Sequence, residues 1–116
     1  LAGFSQGGGT GLHTPLRESR PLGGVIALST YLPLAGALAA ERSSGNERMP
    51  IFMAHGTADN VLPLVLGERS RRALGARGYS VDCHAYPMPH SPCLEEVMAI
   101  GAWLAALPPS RASGAA

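Results

Sequence analysis

Gly3-Phe4-Ser5-Gln6-Gly7 is the stretch that says most about the fold of this 116-residue chain. It matches the pattern G-x-S-x-G and follows two apolar residues. In that pattern a strand turns sharply into a helix, and small residues on either side of the serine let the backbone close without Cβ clashes. The turn lifts the serine hydroxyl clear of the sheet and points the next backbone N–H at the same space. The alternative is that Ser5 is an ordinary turn serine, because a chain rich in glycine can match this pattern by chance.

Further short apolar segments predict strands that alternate with helices. The predicted strands are 23–29, 50–54 and 80–86, the predicted helices are 64–77 and 93–107, and a short helix is expected near 34–40. Continuous apolar strands that alternate with amphipathic helices are typical of a parallel sheet with helices on its faces. We therefore expect an α/β fold of about four parallel strands with flanking helices. The expected domain covers residues 1–109, and a disordered tail follows at 110–116.

Composition excludes several classes of function. The net charge is +1, and no block of like charge exists, so nucleic acid and anionic membrane surfaces are not expected partners. No apolar run is long enough for a membrane span. Cys83 and Cys93 do not make a disulfide framework or a zinc-finger pattern, which favours free thiols in a reducing, cytoplasmic compartment and no metal, with a single bridge between them as the alternative. Because the chain has neither an initiator Met nor a signal-peptide pattern, we expect it to be part of something longer.

Two polar residues follow predicted strands at places where a catalytic serine would need them. An activated serine needs a base, and the base needs an orienting acid. Asp59 follows the second of the three later strands, and His90 follows the third, in the order serine, acid, histidine. Because the carboxyl ends of parallel strands meet at one edge of a sheet, Ser5, Asp59 and His90 are predicted to converge there.

Each of these residues has a simpler interpretation. Asp59 is also suited to cap the helix at 64–77, and His90 to precede the last helix. His55 competes for the role of base, but it lies on the same loop as Asp59, so a structural role is favoured. Asp82 is the rival acid, although a side chain in mid-strand is less well placed than one in a loop.

Four segments resemble the C-terminal half of the phospholipase/carboxylesterase family of α/β-hydrolases, which includes bacterial carboxylesterases and acyl-protein thioesterases. They are LAGFSQGG (1–8), GGVIALSTYLPLA (23–35), PIFMAHGTADNVLPL (50–64) and YPMPHSPCLEE (86–96). The resemblance runs from residue 1 to about 107. It implies that Ser5 is the nucleophile, Asp59 the acid and His90 the base, and that the N–H of Gln6 serves the oxyanion hole. It also implies that Leu32, Leu34, Val61 and Leu62 contact the acyl group.

Family members are about twice as long as this chain, and this difference has consequences. The other half of the family fold would carry the first strands and a loop with a second oxyanion donor. Its absence would leave a bare sheet edge beside the strand that ends at Ser5, which favours aggregation or pairing with another chain, for example as a homodimer. Within the chain, two features predict that the helix after Ser5 is short or bent near His13: the glycines that follow Ser5, and the proline at position 15. Pro89 would stiffen the loop before His90 and put its reach to Ser5 in question.

The resulting prediction is a serine carboxylesterase that needs no cofactor. Its substrate would be a small-molecule carboxylic ester of short to medium chain length, hydrolysed through an acyl-enzyme on Ser5. An acyl-protein thioesterase or lysophospholipase is a narrower form of the same chemistry. The alternative is a catalytically inert remnant of a hydrolase that pairs through its open sheet edge.

Overall fold

The computed structural model describes residues 1–17, 23–32 and 49–107. In these residues four strands alternate with three helices. The strands are β1 (Ala2–Phe4), β2 (Val25–Leu28), β3 (Ile51–Gly56) and β4 (Val81–Tyr86), and the helices are α1 (Gln6–Arg17), α2 (Leu64–Ala76) and α3 (Leu94–Ala106). The helix predicted near 34–40 and the tail predicted at 110–116 lie outside the described residues.

The four strands form one parallel sheet in the order β1-β2-β3-β4. Ala2 pairs with Ile26, Ile26 with Phe52, and Phe52 with Asp82, so the register runs across the whole sheet. The predicted α/β architecture is confirmed. Because all four strands point the same way, the loops that follow β1, β3 and β4 emerge at the same edge.

Hydrophobic residues pack on both faces of the sheet. Every residue of β3 is buried, and its side chains alternate between the two faces. Ile51 and Met53 belong to the larger cluster, which also contains Leu12 and Leu16 of α1 and Leu74 of α2. Phe52 and Ala54 belong to the smaller cluster, against which Ala99, Ile100 and Trp103 of α3 pack. The sheet is therefore a central layer with helices on either side.

Helix α1 is longer than its sequence predicts. It runs for 12 residues and passes through Pro15, so the short form of the prediction is wrong, and the bend near His13 stays a prediction. Pro15 lacks the N–H of a helix interior residue, and the glycines before it weaken helix formation. Leu12 and Leu16, however, are fully buried against the sheet. Burial of an aliphatic side chain contributes about 1.5–3 kcal/mol each, which offsets much of that local penalty.

Helix α3 buries an acidic residue and leaves several large apolar residues exposed. The fully buried residue of this helix is Glu96, an acidic residue in its first turn. The exposed large apolar residues of α3 are Leu94, Val97, Met98 and Leu104. The described part of the chain therefore leaves much of the apolar surface of α3 uncovered.

Glu96 is expected to destabilise the fold at neutral pH. Both carboxylate oxygens are buried and have no hydrogen-bond partner among the described residues, and burial raises the pKa of this group. Ionisation of this buried carboxyl lowers the free energy of unfolding. The loss is absent at a pH below the ordinary pKa of Glu96 and complete at a pH above its raised pKa in the fold. Replacing Glu96 with Met should therefore raise the free energy of unfolding by about 1–3 kcal/mol at pH 7.

Urea unfolding at pH 7 and pH 4 checks this prediction. The gain in the Glu96→Met variant should shrink at pH 4, because the wild-type carboxyl is protonated to a greater extent there. Glu95→Met is the matched control, since Glu95 is exposed on the same turn and should change stability by no more than about 0.5 kcal/mol. A loss of stability in Glu96→Met at both pH values would contradict the prediction.

Candidate active site

Ser5 lies at the turn between β1 and α1 in a backbone conformation that is unusual for a side-chain-bearing residue. Its φ is 57°, in the left-handed region. Two hydrogen bonds hold this conformation: the Ser5 N–H donates to the Leu28 carbonyl at 2.9 Å, and the Thr30 hydroxyl donates to the Ser5 carbonyl at 2.6 Å. Such strain persists only where the surroundings enforce it, and it is common at functional sites.

Close backbone packing explains two of the nearby glycines. A Cβ on Gly3 would lie 2.2 Å from the carbonyl oxygen of Gly7, and a Cβ on Gly8 would lie 2.7 Å from Cγ2 of Thr30. A Cβ on Gly7 would meet nothing within 4 Å. The motif predicts a need for space on both sides of the serine, but on the helix side the crowded position is Gly8. Only the fold reveals this, because Thr30 is distant in the sequence.

His90 lies between Ser5 and Asp59. Its Nε2 is 2.9 Å from Oγ of Ser5, and its Nδ1 is 2.6 Å from Oδ2 of Asp59. Because a carboxylate only accepts hydrogen bonds, Nδ1 carries the proton and donates it, which leaves Nε2 free to accept from the serine hydroxyl. The ring also contacts Phe4, with 4.9 Å between ring centroids. Pro89 therefore does not keep His90 from reaching Ser5.

The loop that carries His90 is fastened to the end of β3. The N–H of Ala58 donates to the Met88 carbonyl at 3.2 Å, and the N–H of Thr57 donates to the Tyr86 carbonyl at 2.8 Å. Gly56 makes this approach possible, because a Cβ there would lie 2.1 Å from the Met88 carbonyl oxygen. The loops after β3 and β4 are thus joined backbone to backbone, and this positions Asp59 beside His90.

Asp59 is held as a carboxylate by several donors. Its Oδ1 accepts hydrogen bonds from the N–H groups of Val61 at 2.9 Å and Leu62 at 2.8 Å, and its Oδ2 accepts from His90. Burial by itself would raise the pKa of Asp59, but these hydrogen bonds outweigh it and hold the pKa below its ordinary value. The group is therefore ionised throughout the neutral pH range.

The two rival residues lie elsewhere. His55 is buried on β3, and its Nε2 is 2.6 Å from the Leu62 carbonyl and 3.4 Å from Oδ2 of Asp59. His55 therefore lies on the strand and not on the loop of Asp59, where the sequence predicts it, because β3 continues to Gly56. Asp82 lies on β4 and pairs with His84, with 2.9 Å between Oδ1 and Nε2, and both side chains are substantially exposed.

The residues predicted to contact an acyl group are in different environments. Val61 is exposed and Leu62 is half-buried, both on the loop that contains Asp59. Leu32 is buried in the larger hydrophobic cluster, and its N–H donates to Oγ of Ser70 at 2.7 Å. Leu34 lies outside the described residues. Gln6 is the first residue of α1, where backbone N–H groups have no acceptor within the helix.

Some other expectations are tested only in the described ranges. There, Cys83 and Cys93 are both free thiols, as predicted. Within the same residues, no cluster of three or more His, Cys, Asp or Glu side chains is arranged to hold a metal ion. None of the helices found in residues 1–17, 23–32 and 49–107 has the length and apolar character needed to cross a bilayer.

A parallel sheet with a serine at a left-handed strand-to-helix turn, approached by a histidine and an acid from later loops, defines the α/β-hydrolase class of fold. The chain belongs to the phospholipase/carboxylesterase family, whose sequence profile matches residues 1–107. It is 39% identical to acyl-protein thioesterase 1 of Mycosarcoma maydis, covering 96% of this chain and 48% of the relative. It is 47% identical to acyl-protein thioesterase 1 of Neurospora crassa, covering 86% of this chain and 42% of the relative.

Solved structures are similar over the same region. Acyl-protein thioesterase 2 of Zea mays superposes with a TM-score of 0.83 at 30% identity, over 90% of this chain and 54% of that structure. Esterase PE8 superposes with a TM-score of 0.86 at 29% identity, over 93% of this chain and 49% of that structure. The chain thus spans about half the length of the relatives that it matches.

Proposed function

We propose that this chain carries the catalytic centre of a serine esterase, with Ser5 as nucleophile, His90 as general base and Asp59 as the acid that orients His90. The observation that carries the proposal is the continuous hydrogen-bonded path from Oγ of Ser5 to Nε2 of His90 at 2.9 Å and from Nδ1 of His90 to Oδ2 of Asp59 at 2.6 Å. Three side chains from separate loops in this order are the arrangement that activates a serine hydroxyl.

The reaction would proceed by acyl transfer. Oγ of Ser5 attacks the ester carbonyl carbon while its proton passes to Nε2 of His90. The tetrahedral intermediate collapses, the bond to the leaving oxygen breaks, and that oxygen takes the proton from His90 to leave as the alcohol. Water then attacks the acyl-enzyme, giving its proton to His90, and the carboxylic acid departs as Oγ regains a proton. Asp59 remains ionised and stabilises the imidazolium that forms at each step.

The oxyanion would be held in part by the N–H of Gln6. That group stands at the start of α1 next to Ser5, where the helix dipole also favours negative charge. The resemblance assigns a second donor to a loop in the other half of the family fold. Since loss of one donor commonly costs about 10²- to 10³-fold in rate, turnover by the chain alone should be slow compared with that of a complete family fold.

Two observations support the proposed substrate class, namely the names of the relatives and the loop beside Asp59. The named relatives are a thioesterase group and an esterase, and both reactions transfer an acyl group to water. Val61 and Leu62 present apolar surface next to Asp59, which fits contact with a short or medium acyl chain. We therefore propose a carboxylic ester as substrate, with an acyl thioester as the narrower possibility, in the cytoplasm.

Labelling with a fluorophosphonate tests the activation of Ser5 without requiring turnover. The reagent phosphonylates only serines whose hydroxyl is activated, so we expect a single adduct, mapped by peptide mass spectrometry to Ser5. The Ser5→Ala variant should take up none. Ser80→Ala, which removes an exposed serine at the start of β4, is the matched control and should label like the wild type. Labelling that survives Ser5→Ala would discredit Ser5 as the nucleophile.

A second candidate function is a catalytically inert domain that associates with another polypeptide. The observation that favours it is the uncovered apolar surface of α3, together with a cavity of about 400 Å³ between β1 and α3. The cavity is lined in part by Leu1, Ile26, Trp103 and Leu104. Light scattering after gel filtration separates the candidates when combined with the labelling. A dimer of the 11.9 kDa chain that takes up no fluorophosphonate would support the inert form.

A further inference from the structure

His55 is a buried imidazole that the proposed reaction does not use. It lies near the end of β3, is only 4% exposed and does not contact Ser5 in the arrangement described above. Its Nε2 is 2.6 Å from the carbonyl oxygen of Leu62. A carbonyl oxygen only accepts hydrogen bonds, so Nε2 must carry the proton and donate it. The tautomer of His55 is thereby set by Leu62.

The hydrogen bond from His55 completes a closed set of contacts around the acid. Leu62 receives the hydrogen bond of His55 at its carbonyl and donates its own N–H to Oδ1 of Asp59 at 2.8 Å. Nε2 of His55 also lies 3.4 Å from Oδ2 of Asp59, the oxygen that accepts from His90. His55 therefore joins the far end of the 59–62 loop to β3, and its Nε2 lies close to the oxygen of Asp59 that accepts from His90.

Helix α2 supports the ring of His55 from the other side. A Cβ on Gly67 would lie 2.8 Å from Nδ1 of His55 and 3.4 Å from its Cγ. Gly67 is itself buried, so the ring is held between the backbone of α2 and the acid loop. With one nitrogen against a glycine and the other bound to a carbonyl, the ring has little freedom to rotate.

We propose that His55 is a positioning residue for catalysis, which fixes the carboxylate of Asp59 relative to His90 through its hydrogen bond to the Leu62 carbonyl. The proposal rests on the proposed esterase function for its kinetic consequence. Its structural consequence, a change in the hydrogen bond between His90 and Asp59, is independent of turnover. Misplacement of a catalytic group by about 1 Å can cost about 10²-fold in rate, so the kinetic effect should be large.

Two substitutions of His55 distinguish the effect of its hydrogen-bond donor from the effect of its side-chain size. His55→Phe keeps a planar ring but removes the donor, whereas His55→Gln places an amide N–H near the position of Nε2. We expect kcat for a p-nitrophenyl ester to fall about 10- to 10²-fold in His55→Phe, with KM changed less than about twofold, and to recover most of that loss in His55→Gln. His84→Gln, on the partly exposed histidine of β4, is the matched control and should leave kcat unchanged.

Proton NMR gives the readout that does not need activity. The Nδ1 proton of His90 lies in a short hydrogen bond to Asp59 and should therefore give a low-field resonance. The resonance is assigned to this proton by its loss in His90→Gln. This resonance should vanish or shift in His55→Phe and persist in His55→Gln and His84→Gln. Turnover that survives Ser5→Ala would overturn the esterase function and leave the NMR comparison to decide the role of His55.

The proposal is overturned if folded His55→Phe, with wild-type circular dichroism, retains both the low-field resonance and kcat. If His55→Phe does not fold, the decision passes to His55→Gln and Gly67→Ala. In Gly67→Ala the added methyl group would lie too close to the ring of His55 and would displace it. This variant should therefore weaken the same resonance. Wild-type behaviour in Gly67→Ala, or loss of the resonance in folded His55→Gln, would equally overturn the proposal.

Discussion

Replacing Ser5 with alanine is expected to lower the turnover of a p-nitrophenyl ester by about 10⁶-fold, the size of effect seen when the nucleophile of a serine hydrolase is removed. The loss should be this large because the covalent route disappears entirely, and His90 then has no hydroxyl at 2.9 Å from which to take a proton. Binding of the ester should change little, so the effect should fall on kcat. An initial-rate assay over a range of ester concentrations measures both quantities.

The control for this measurement is Ser80→Ala, which should keep wild-type kcat because its exposed side chain precedes β4, at the opposite edge of the sheet from the loops that carry Ser5, Asp59 and His90. If the wild type turns over slowly, only a lower limit on the ratio can be measured. In that case the two rates must still differ by more than the uncertainty of the background hydrolysis. Equal turnover in the wild type and in Ser5→Ala would remove the esterase function and favour the inert, pairing form.

Asp59→Asn is expected to lower kcat by about 10⁴-fold while leaving the fold intact. The amide oxygen can still accept from the N–H groups of Val61 and Leu62, so the loop should keep its shape. The amide nitrogen facing His90 cannot accept the Nδ1 proton. His90 should therefore adopt the other tautomer, with its proton on Nε2, where it can no longer take the proton of Ser5.

Steady-state rates of Asp59→Asn and of Asp82→Asn test this prediction. Asp82 is the matched control, since it is an exposed aspartate paired with a histidine on β4, and its amide variant should keep wild-type kcat. A loss smaller than tenfold in Asp59→Asn, or a similar loss in both variants, would show that Asp59 does not orient the base.

The pH dependence of stability gives a further expectation for Asp59. Because its pKa is lower in the fold than in the unfolded chain, its ionisation stabilises the fold fully above its ordinary pKa. This stabilisation is lost as the pH falls through the lowered value in the fold. Asp59 and Glu96 therefore act in opposite directions on acidification.

The elements of the sheet follow closely from the apolar pattern. The strand predicted at 50–54 is observed at Ile51–Gly56, and the helix predicted at 64–77 is observed at Leu64–Ala76. These predictions succeed because short apolar runs bounded by glycine or proline are typical of buried strands, and long polar–apolar periodicity is typical of helices. The length of α1 could not be predicted in this way, since tertiary burial of Leu12 and Leu16 overrides the glycines and Pro15.

The candidate site shows a similar division. The residue types and their order identify Ser5, Asp59 and His90 as candidates, because each follows a separate strand of one parallel sheet. Their catalytic roles remain predictions for the experiments above. The acyl-contact roles of Leu32, Leu34, Val61 and Leu62 are likewise predictions, and the burial of Leu32 shows that a position in the chain does not by itself reveal which way a side chain faces.

The class of fold, the turn at Ser5 and the order of the candidate catalytic residues are predictable from the amino-acid sequence, because hydrophobic period and glycine placement act locally along the chain. The distances between the side chains of Ser5, His90 and Asp59, the burial of Glu96 and the hydrogen bond from His55 to the acid loop become visible only in the folded chain. Those features depend on contacts between residues far apart in the chain, and no local pattern specifies how such segments pack in three dimensions.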